Sequence, residues 1–187
     1  INTAIHFNEH NDLKVKRIDL GGGFGIPYSE DESEMDINSL GEGLNEFFKE
    51  EKIRKFSEKV EMYFELGRYL SGLCGIYLTK VLYTKISRGK NIAVTDGGVH
   101  HLVRPALIGQ NHPIVNLTAL LEERTSKGIY LIAGPLCTSL DEFDDNAELP
   151  ETKPGDILAI LNAGAYGFTE SMPDFLSHKK AYEEFIN

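Results

Sequence analysis

Two short motifs place residues suited to ligand binding at the ends of predicted strands. The first, GGGFG (21–25), directly follows the alternating segment 13–20, which predicts a strand. Consecutive glycines let backbone amides approach an anion, so this turn could hold a phosphate. The alternative is a tight strand-to-helix turn. The motif lacks the third glycine of a dinucleotide-binding fingerprint and the Gly-Lys-Ser/Thr of a P-loop.

The second motif, ELGR (65–68), ends the segment 60–66, which predicts another strand. A carboxylate and a guanidinium beside a glycine could orient a charged ligand, and a surface ion pair is the alternative. Apolar spacing over 39–58 predicts a helix, broken near Glu51, and therefore a parallel βαβ unit. Because the loops after the last two strands of (β/α)8 barrels often form a phosphate site, residues 1–70 are predicted to be the last βαβ portion of such a barrel.

The rest of the chain, residues 71–187, is predicted to be a separate all-β domain. Five segments rich in β-branched and aromatic residues predict an antiparallel, Greek-key-like β-barrel. These segments are 75–89, 91–98, 112–118, 127–135 and 156–167. The acidic, proline-bearing segment 138–155 is predicted to be a connection, and 174–187 a short helix or a frayed end.

Three single side chains in this second domain are candidates for function. Arg104, in a predicted loop, could bind a carboxylate through its forked guanidinium, and a surface arginine is the alternative. Cys137 follows a predicted strand and Tyr166 lies between small residues, and either could serve packing alone. Neighbouring His100 and His101 would point to opposite faces of a strand, so no metal site is predicted.

The composition restricts the partners that the protein can have. With 19 Lys and Arg against 29 Asp and Glu, the net charge of −10 disfavours nucleic acid and anionic membranes. It leaves room for one phosphate held by backbone amides. Three features favour a cytoplasmic location: the chain has only 2 cysteines, no visible signal peptide and no apolar run long enough for a bilayer. No HExxH, CxxC or GxSxG motif supports zinc or serine chemistry.

Five strings, in collinear order over residues 13–170, resemble the C-terminal half of a known enzyme family. The family is the pyridoxal-phosphate-dependent decarboxylases of the alanine-racemase-like fold, which includes diaminopimelate and ornithine decarboxylases. The strings are IDLGGGFGIPY (18–28), FELGRYL (64–70), VTDGGVHHLVRPAL (94–107), IAGPLCTSLD (132–141) and PGDILAILNAGAYGF (154–168).

The resemblance implies pyridoxal 5'-phosphate as cofactor and a set of residues that contact it. The set is Gly21, Gly22, Gly23, Glu65, Gly67, Arg68 and Tyr166. By this resemblance the glycines contact the phosphate and Tyr166 lies against the cofactor. Glu65 would keep the pyridine nitrogen protonated, which makes the ring a stronger electron sink.

The resemblance also implies a substrate side and a subunit arrangement. Arg68 and Arg104 would bind substrate, and Cys137 would be catalytic, handling the proton after carbon dioxide is lost. The active site would be shared across a head-to-tail homodimer. Because no lysine here matches the family's Schiff-base lysine, the chain alone is expected to be inactive and to act as part of a longer decarboxylase.

Three departures from the diaminopimelate enzymes bear on the substrate. Leu66, Ile108 and Thr138 stand where those enzymes carry Pro, Tyr and Glu. In those enzymes the acidic residue recognises the distal amine of the substrate. A neutral threonine at this position cannot pair with an ammonium group. CTSLD (137–141) and FLSH (175–178) resemble instead the butirosin-pathway decarboxylase, which acts on a glutamyl group tethered to a carrier protein.

Three hypotheses therefore stay open. The chain is part of a decarboxylase of a small amino acid such as diaminopimelate, part of a decarboxylase of a carrier-tethered amino acid, or part of a non-catalytic regulatory homologue.

Overall fold

A computed structural model describes residues 1–12, 14–29 and 31–186. Leu13 and Asn187, which belong to the predicted strand and the predicted tail, lie outside the described residues, as does Glu30. The chain divides into two compact units. The first comprises Ile1–Ile26 with Ser33–Tyr69, and the second comprises Pro27–Glu32 with Leu70–Asn187. Residues 27–32 thus belong to the second unit, although they lie within the span 1–70 of the sequence-based division.

The first unit is a βαβ arrangement preceded by a helix. Its elements are α1 (Asn2–His10), β1 (Arg17–Asp19), α2 (Ile37–Phe47), α3 (Glu51–Ser57) and β2 (Glu61–Tyr63). β1 and β2 pair in parallel, which confirms the prediction from the order of elements. Ile5, Ile53 and Phe56 form its buried centre, with Ile18 of β1 packed against them. The apolar stripe of the helices therefore covers the strand that leads into the glycine turn.

The boundary between α2 and α3 follows from local sequence. α2 begins where the carboxylate of Asp36 accepts hydrogen bonds from the amides of Asn38 and Ser39, at 3.0 Å each. A hydrogen bond from the Ser39 hydroxyl, together with these amide bonds, lowers the pKa of Asp36. Residues 48–50 separate the two helices, which confirms the predicted interruption near Glu51.

The second unit is built on one six-stranded sheet. α4 (Gly67–Ser71) and a 3-10 turn (Gly72–Cys74) lead into it along the chain. Its elements are β3 (Tyr77–Ser87), β4 (Lys90–Thr95), α5 (Arg104–Ile108), β5 (Ile114–Asn116), α6 (Leu117–Leu121), β6 (Lys127–Ala133), β7 (Glu142–Pro150) and β8 (Ile157–Ile160). The strand order is β5-β8-β3-β4-β6-β7. The two edge strands, β5 and β7, lie close together, so the sheet is a nearly closed barrel.

The prediction of a purely antiparallel barrel is wrong, because β4 and β6 pair in parallel. The other pairs in this sheet are antiparallel. A parallel pair needs a crossover of a dozen or more residues, and the segment 96–126, which carries α5, β5 and α6, provides it. The sheet is therefore mixed.

The segment 138–155, predicted as a connection, contains strand β7 instead. Phe143, Ala147 and Leu149 of this strand are buried, while most of its acidic side chains face away from the core. The acidic composition hid the alternation that marks a half-buried strand. Arg104, placed in a loop by the sequence analysis, begins α5, and the tail contains a 3-10 turn (Phe175–Ser177).

The core of the second unit lies on the inner face of the sheet. Its buried residues are Val81, Ala93, Leu102, Tyr130, Ile132, Phe143, Ala147, Leu149, Leu158 and Ile160. They come from both halves of the sheet, so their packing holds the barrel together. Among the described residues, no helix is long and apolar enough to cross a membrane.

Replacing the fully buried Leu158 with alanine is expected to lower the free energy of unfolding of the second unit by about 2–5 kcal/mol, because a cavity remains in the core. The matched control is Leu121→Ala, since Leu121 is 85% exposed and its truncation should change the free energy by less than about 0.5 kcal/mol. Urea unfolding followed by circular dichroism measures both. Equal effects of the two substitutions would contradict this core assignment.

Candidate functional site

The glycine turn after β1 has a geometry that requires glycine. Gly21 and Gly23 have φ angles of 79° and 93°, in the left-handed region that side chains disfavour. Gly22 lies against the end of the neighbouring strand, where a Cβ atom would come within 2.8 Å of the Glu65 carbonyl oxygen. The three glycines therefore let the turn pass close to the segment after β2.

Two of the three glycines offer free backbone donors. The amide of Gly21 donates to the Asp19 carboxylate at 2.8 Å, and its carbonyl accepts from the Glu65 amide at 3.0 Å. Within the described part of the chain, the amides of Gly22 and Gly23 make no hydrogen bond, and both residues are exposed. Adjacent free amides in a turn form a concave donor pair suited to an anion.

An exposed carboxylate stands beside this turn. Glu65 is two residues past β2, and its amide bond to Gly21 fixes its backbone next to the glycines. Its side chain is exposed, so it is available to a ligand. Gly67 and Arg68 follow at the start of α4, the first exposed and the second half-buried. The structure thus brings Glu65 and the glycine turn together within the first unit.

In the second unit, Arg104 is buried between two aromatic rings. The residue is 4% exposed, and its Cζ atom lies 5.6 Å from the ring centre of Tyr28 and 5.9 Å from that of Tyr166. Its polar contacts are long: 3.5 Å to the Gln110 side-chain oxygen and 3.6 Å to the Glu170 carboxylate. A buried guanidinium without a close two-pronged carboxylate partner is suited to bind an anion.

The two tyrosines differ in their surroundings. Tyr166 is 48% exposed and has a φ of 65°, so the turn presents its ring at the surface of the unit. Tyr28 is 3% exposed and is held by its neighbours, because Asn162 donates to the Pro27 carbonyl at 3.0 Å and the Tyr28 amide donates to Glu32 at 2.7 Å. The sequence analysis did not name Tyr28 as a site residue. The one signal available was its position as an aromatic residue shortly after the glycine turn.

Cys137 lies on a loop organised by a buried carboxylate. Its thiol is free and the residue is exposed. Asp141 accepts hydrogen bonds from the amides of Leu136, at 2.6 Å, and Val99, at 2.8 Å. Burial raises the pKa of Asp141, which these two hydrogen bonds oppose. Asp141 therefore ties the cysteine loop to the segment after β4, a role that the sequence analysis did not assign.

The histidines after β4 lie in a turn rather than on a strand. The rings of His100 and His101 are neighbours, 3.8 Å apart between centres, and His178 lies 5.2 Å from His100. The His101 Nε2 donates to the Lys179 carbonyl at 2.6 Å, which leaves Nδ1 to accept from the Tyr77 hydroxyl at 2.9 Å. Burial, reinforced by the two neighbouring imidazoles, lowers the pKa of His100 to about 4.

One group of side chains in the described chain has donor atoms close enough together to share a metal ion. It consists of His6, Glu9 and His10, which are exposed on α1. Glu9 also forms an ion pair with Lys52, at 3.3 Å. None of these residues was a candidate in the sequence analysis.

The model of the pyridoxal-dependent decarboxylase C-terminal sheet domain matches residues 30–164. The chain belongs to the pyridoxal-dependent decarboxylase family. The chain is 34% identical over 180 residues to the L-glutamyl-[BtrI acyl-carrier protein] decarboxylase of Niallia circulans, covering 94% of the chain and 42% of that protein. It is 37% identical over 164 residues to the diaminopimelate decarboxylase of Methanothermobacter thermautotrophicus, covering 88% and 38%.

Solved structures of the family share the fold. The chain superimposes on a diaminopimelate decarboxylase from M. jannaschii with a TM-score of 0.78 at 30% identity, covering 91% of this chain and 38% of that one. The chain spans about two fifths of the length of the relatives that it matches. The predicted family is therefore confirmed. The family model that matches is that of the sheet domain.

The depressed pKa of His100 predicts a pH-dependent stability. In the unfolded chain this imidazole binds a proton near pH 6.5, whereas in the folded chain it stays neutral down to about pH 4. Stability should therefore fall as the pH is lowered through this window, by up to about 1.4 kcal/mol per pH unit from this group. Denaturation of His100→Asn at pH 4.5, 5.5 and 6.5 should show a shallower fall. A slope identical to that of the parent chain would contradict this assignment.

Proposed function

We propose that this chain provides the cofactor-binding turn and the sheet domain of a pyridoxal-phosphate-dependent amino-acid decarboxylase, a carboxy-lyase. The observation that carries the proposal is the glycine turn, whose two free amides lie beside the exposed Glu65. We infer that the first unit is the last βαβ portion of a (β/α)8 barrel. The parallel pairing of β1 and β2 and the position of the glycines at the end of a strand support this inference.

The residues present fit pyridoxal phosphate at both ends of the molecule. The amides of Gly22 and Gly23 would donate to the phosphate, while Gly21 shapes the turn through its bonds to Asp19 and Glu65. Glu65 would accept a hydrogen bond from the protonated pyridine nitrogen. When bound, the cofactor takes up the electron pair released as carbon dioxide departs.

Further contacts follow from the positions of neighbouring residues. Gly67 and Arg68, directly after Glu65 and Leu66 in the chain, would add contacts to the phosphate and to the substrate. Tyr166, half exposed on its turn, would lie against the cofactor. These assignments carry over from the family motifs onto the matching residues of this chain.

We assign the substrate carboxylate to Arg104. Its guanidinium is buried and fixed between rings, and its contacts to Gln110 and Glu170 are long enough to be replaced by a closer anion. A carboxylate in a two-pronged arrangement would shorten these contacts and satisfy the charge. Arg104 would thus orient the substrate, and the surrounding rings would exclude water from the ion pair.

Cys137 is proposed to carry the proton that replaces the lost carboxyl group. Its sulfur is accessible, and Asp141 holds its loop in one conformation. We infer a head-to-tail homodimer in which this loop reaches the site of the partner subunit, and a cytoplasmic location. The free state of Cys74 and Cys137 is compatible with that compartment.

The substrate that Thr138 favours is an amino acid without a free distal ammonium group, such as a glutamyl group tethered to a carrier protein. A hydroxyl at this position cannot balance the charge of an ammonium group. The similarity to the carrier-protein-dependent enzyme of Niallia circulans supports this choice. The second candidate is diaminopimelate, which the 37% identity to the archaeal enzyme supports.

The full-length protein containing this chain is expected to decarboxylate a carrier-bound L-glutamyl group with a kcat/KM at least about tenfold higher than that for diaminopimelate. Thr138→Glu should narrow or reverse this ratio, because it adds an anion for the distal ammonium. Thr138→Gln is the matched control of similar size without the charge. The rate of carbon dioxide release is measured for the parent enzyme and for both variants. Faster turnover of diaminopimelate by the parent enzyme would contradict the substrate assignment.

Gly22→Ala should weaken pyridoxal phosphate binding by at least about tenfold, since its Cβ would meet the Glu65 carbonyl at 2.8 Å and displace the free amides. Gly41→Ala is the control, because nothing lies within 4 Å of a Cβ at that helical position. Absorbance titration of the full-length protein with pyridoxal phosphate gives the affinities. If Gly22→Ala and Gly41→Ala bind the cofactor equally well, the turn does not hold the phosphate.

A further inference from the structure

Two buried hydrogen-bond donors lie in the same corner of the second unit without acceptors. They are the hydroxyl of Tyr28 and the Nε–H of Arg104, and neither has a partner within the described residues. Tyr28 is 3% exposed and Arg104 is 4% exposed, so solvent does not satisfy them. Because buried donors are almost always paired, two unpaired ones side by side indicate a missing acceptor.

The orphaned hydroxyl belongs to a side chain that is fixed in place. The Tyr28 ring contacts the ring of His112 edge-on, with 4.7 Å between centres, and its own backbone is tied down by Glu32. Asn162 holds the preceding carbonyl, that of Pro27. The ring of Tyr28 is therefore held in place by several contacts, and none of these contacts uses its hydroxyl.

The ring of Tyr28 also sets the orientation of Arg104. The guanidinium carbon lies 5.6 Å from the centre of this ring, and Tyr166 covers it from the other direction at 5.9 Å. Tyr28 is buried, whereas Tyr166 is half exposed. The guanidinium therefore lies near one buried ring and one partly exposed ring.

We propose that Tyr28 is a binding residue of the carboxylate site: its hydroxyl donates a hydrogen bond to the same carboxylate that Arg104 binds. The proposal rests on the assignment of Arg104 as the carboxylate receptor. The missing acceptor must be able to take hydrogen bonds from both a phenol and a guanidinium, which a carboxylate does with its two oxygens. The ring of Tyr28 keeps the guanidinium oriented before the ligand arrives.

The test is a titration of the full-length protein containing this chain, labelled with 15N, with L-glutamate, followed through the Arg104 Nε–H resonance at constant ionic strength maintained with sodium chloride. Tyr28→Phe removes the hydroxyl and keeps the ring. Tyr28→Leu removes both, and Arg104→Gln removes the receptor. Tyr182→Phe is the matched control, since Tyr182 is 86% exposed. Dispersion of the backbone amide spectrum reports whether each variant is folded.

We expect Tyr28→Phe to leave the ligand-free Arg104 resonance in place and to weaken glutamate binding about tenfold or more, the usual effect of losing a hydrogen bond to a charged acceptor. Tyr28→Leu should also shift the ligand-free resonance, because the ring that orients the guanidinium is gone. Tyr182→Phe should bind as the parent chain does.

Two results overturn the proposal in distinguishable ways. If the parent chain binds glutamate through Arg104 and Tyr28→Phe binds it equally well, Arg104 is the receptor and Tyr28 plays no part in binding. If glutamate produces no shift of the parent's Arg104 resonance beyond that of sodium chloride, the carboxylate site itself is absent from this unit and Tyr28 has no ligand to contact.

Discussion

A buried positive charge, with the Glu170 carboxylate 3.6 Å away as a counter-ion, is the constraint on which the second unit depends. Arg104 lies in the interior, where an unpaired ion is costly, and aromatic faces together with the distant Glu170 carboxylate stabilise it only in part. Arg104 and the two rings come from segments far apart in sequence: α5 carries Arg104, residues 27–32 carry Tyr28, and a later turn carries Tyr166.

In the first unit the groups suited to an anion are backbone amides rather than a side-chain charge. Among the residues that the structure describes, the amides of Gly22 and Gly23 have no acceptor, while the amide and carbonyl of Gly21 bond to Asp19 and Glu65. The amides are exposed, so water satisfies them until an anion binds. Each unit therefore carries its own group suited to an anion: the first has the free amides beside Glu65, and the second has the buried guanidinium of Arg104.

Features encoded locally could be predicted from sequence, whereas features set by distant pairing could not. The βαβ order and the break before Glu51 follow from apolar periodicity and chain order. The parallel pairing of β4 with β6 depends on where the intervening segment returns, which no local pattern records. The acidic face of β7 masked the alternation of Phe143, Ala147 and Leu149. The glycine turn, Glu65 and Arg104 could be recognised from sequence motifs. Tyr28 has no periodic signal, because its contacts with Arg104 and His112 are entirely non-local.

The most direct test of the account is a crystal structure of the full-length protein with pyridoxal phosphate bound. We expect phosphate oxygens at about 3 Å from the amides of Gly22 and Gly23, and the carboxylate of Glu65 at hydrogen-bond distance from the pyridine nitrogen. A phosphate held away from the glycine turn, or a pyridine nitrogen that faces a group other than Glu65, would contradict the central claim that this turn and this acid form the cofactor site.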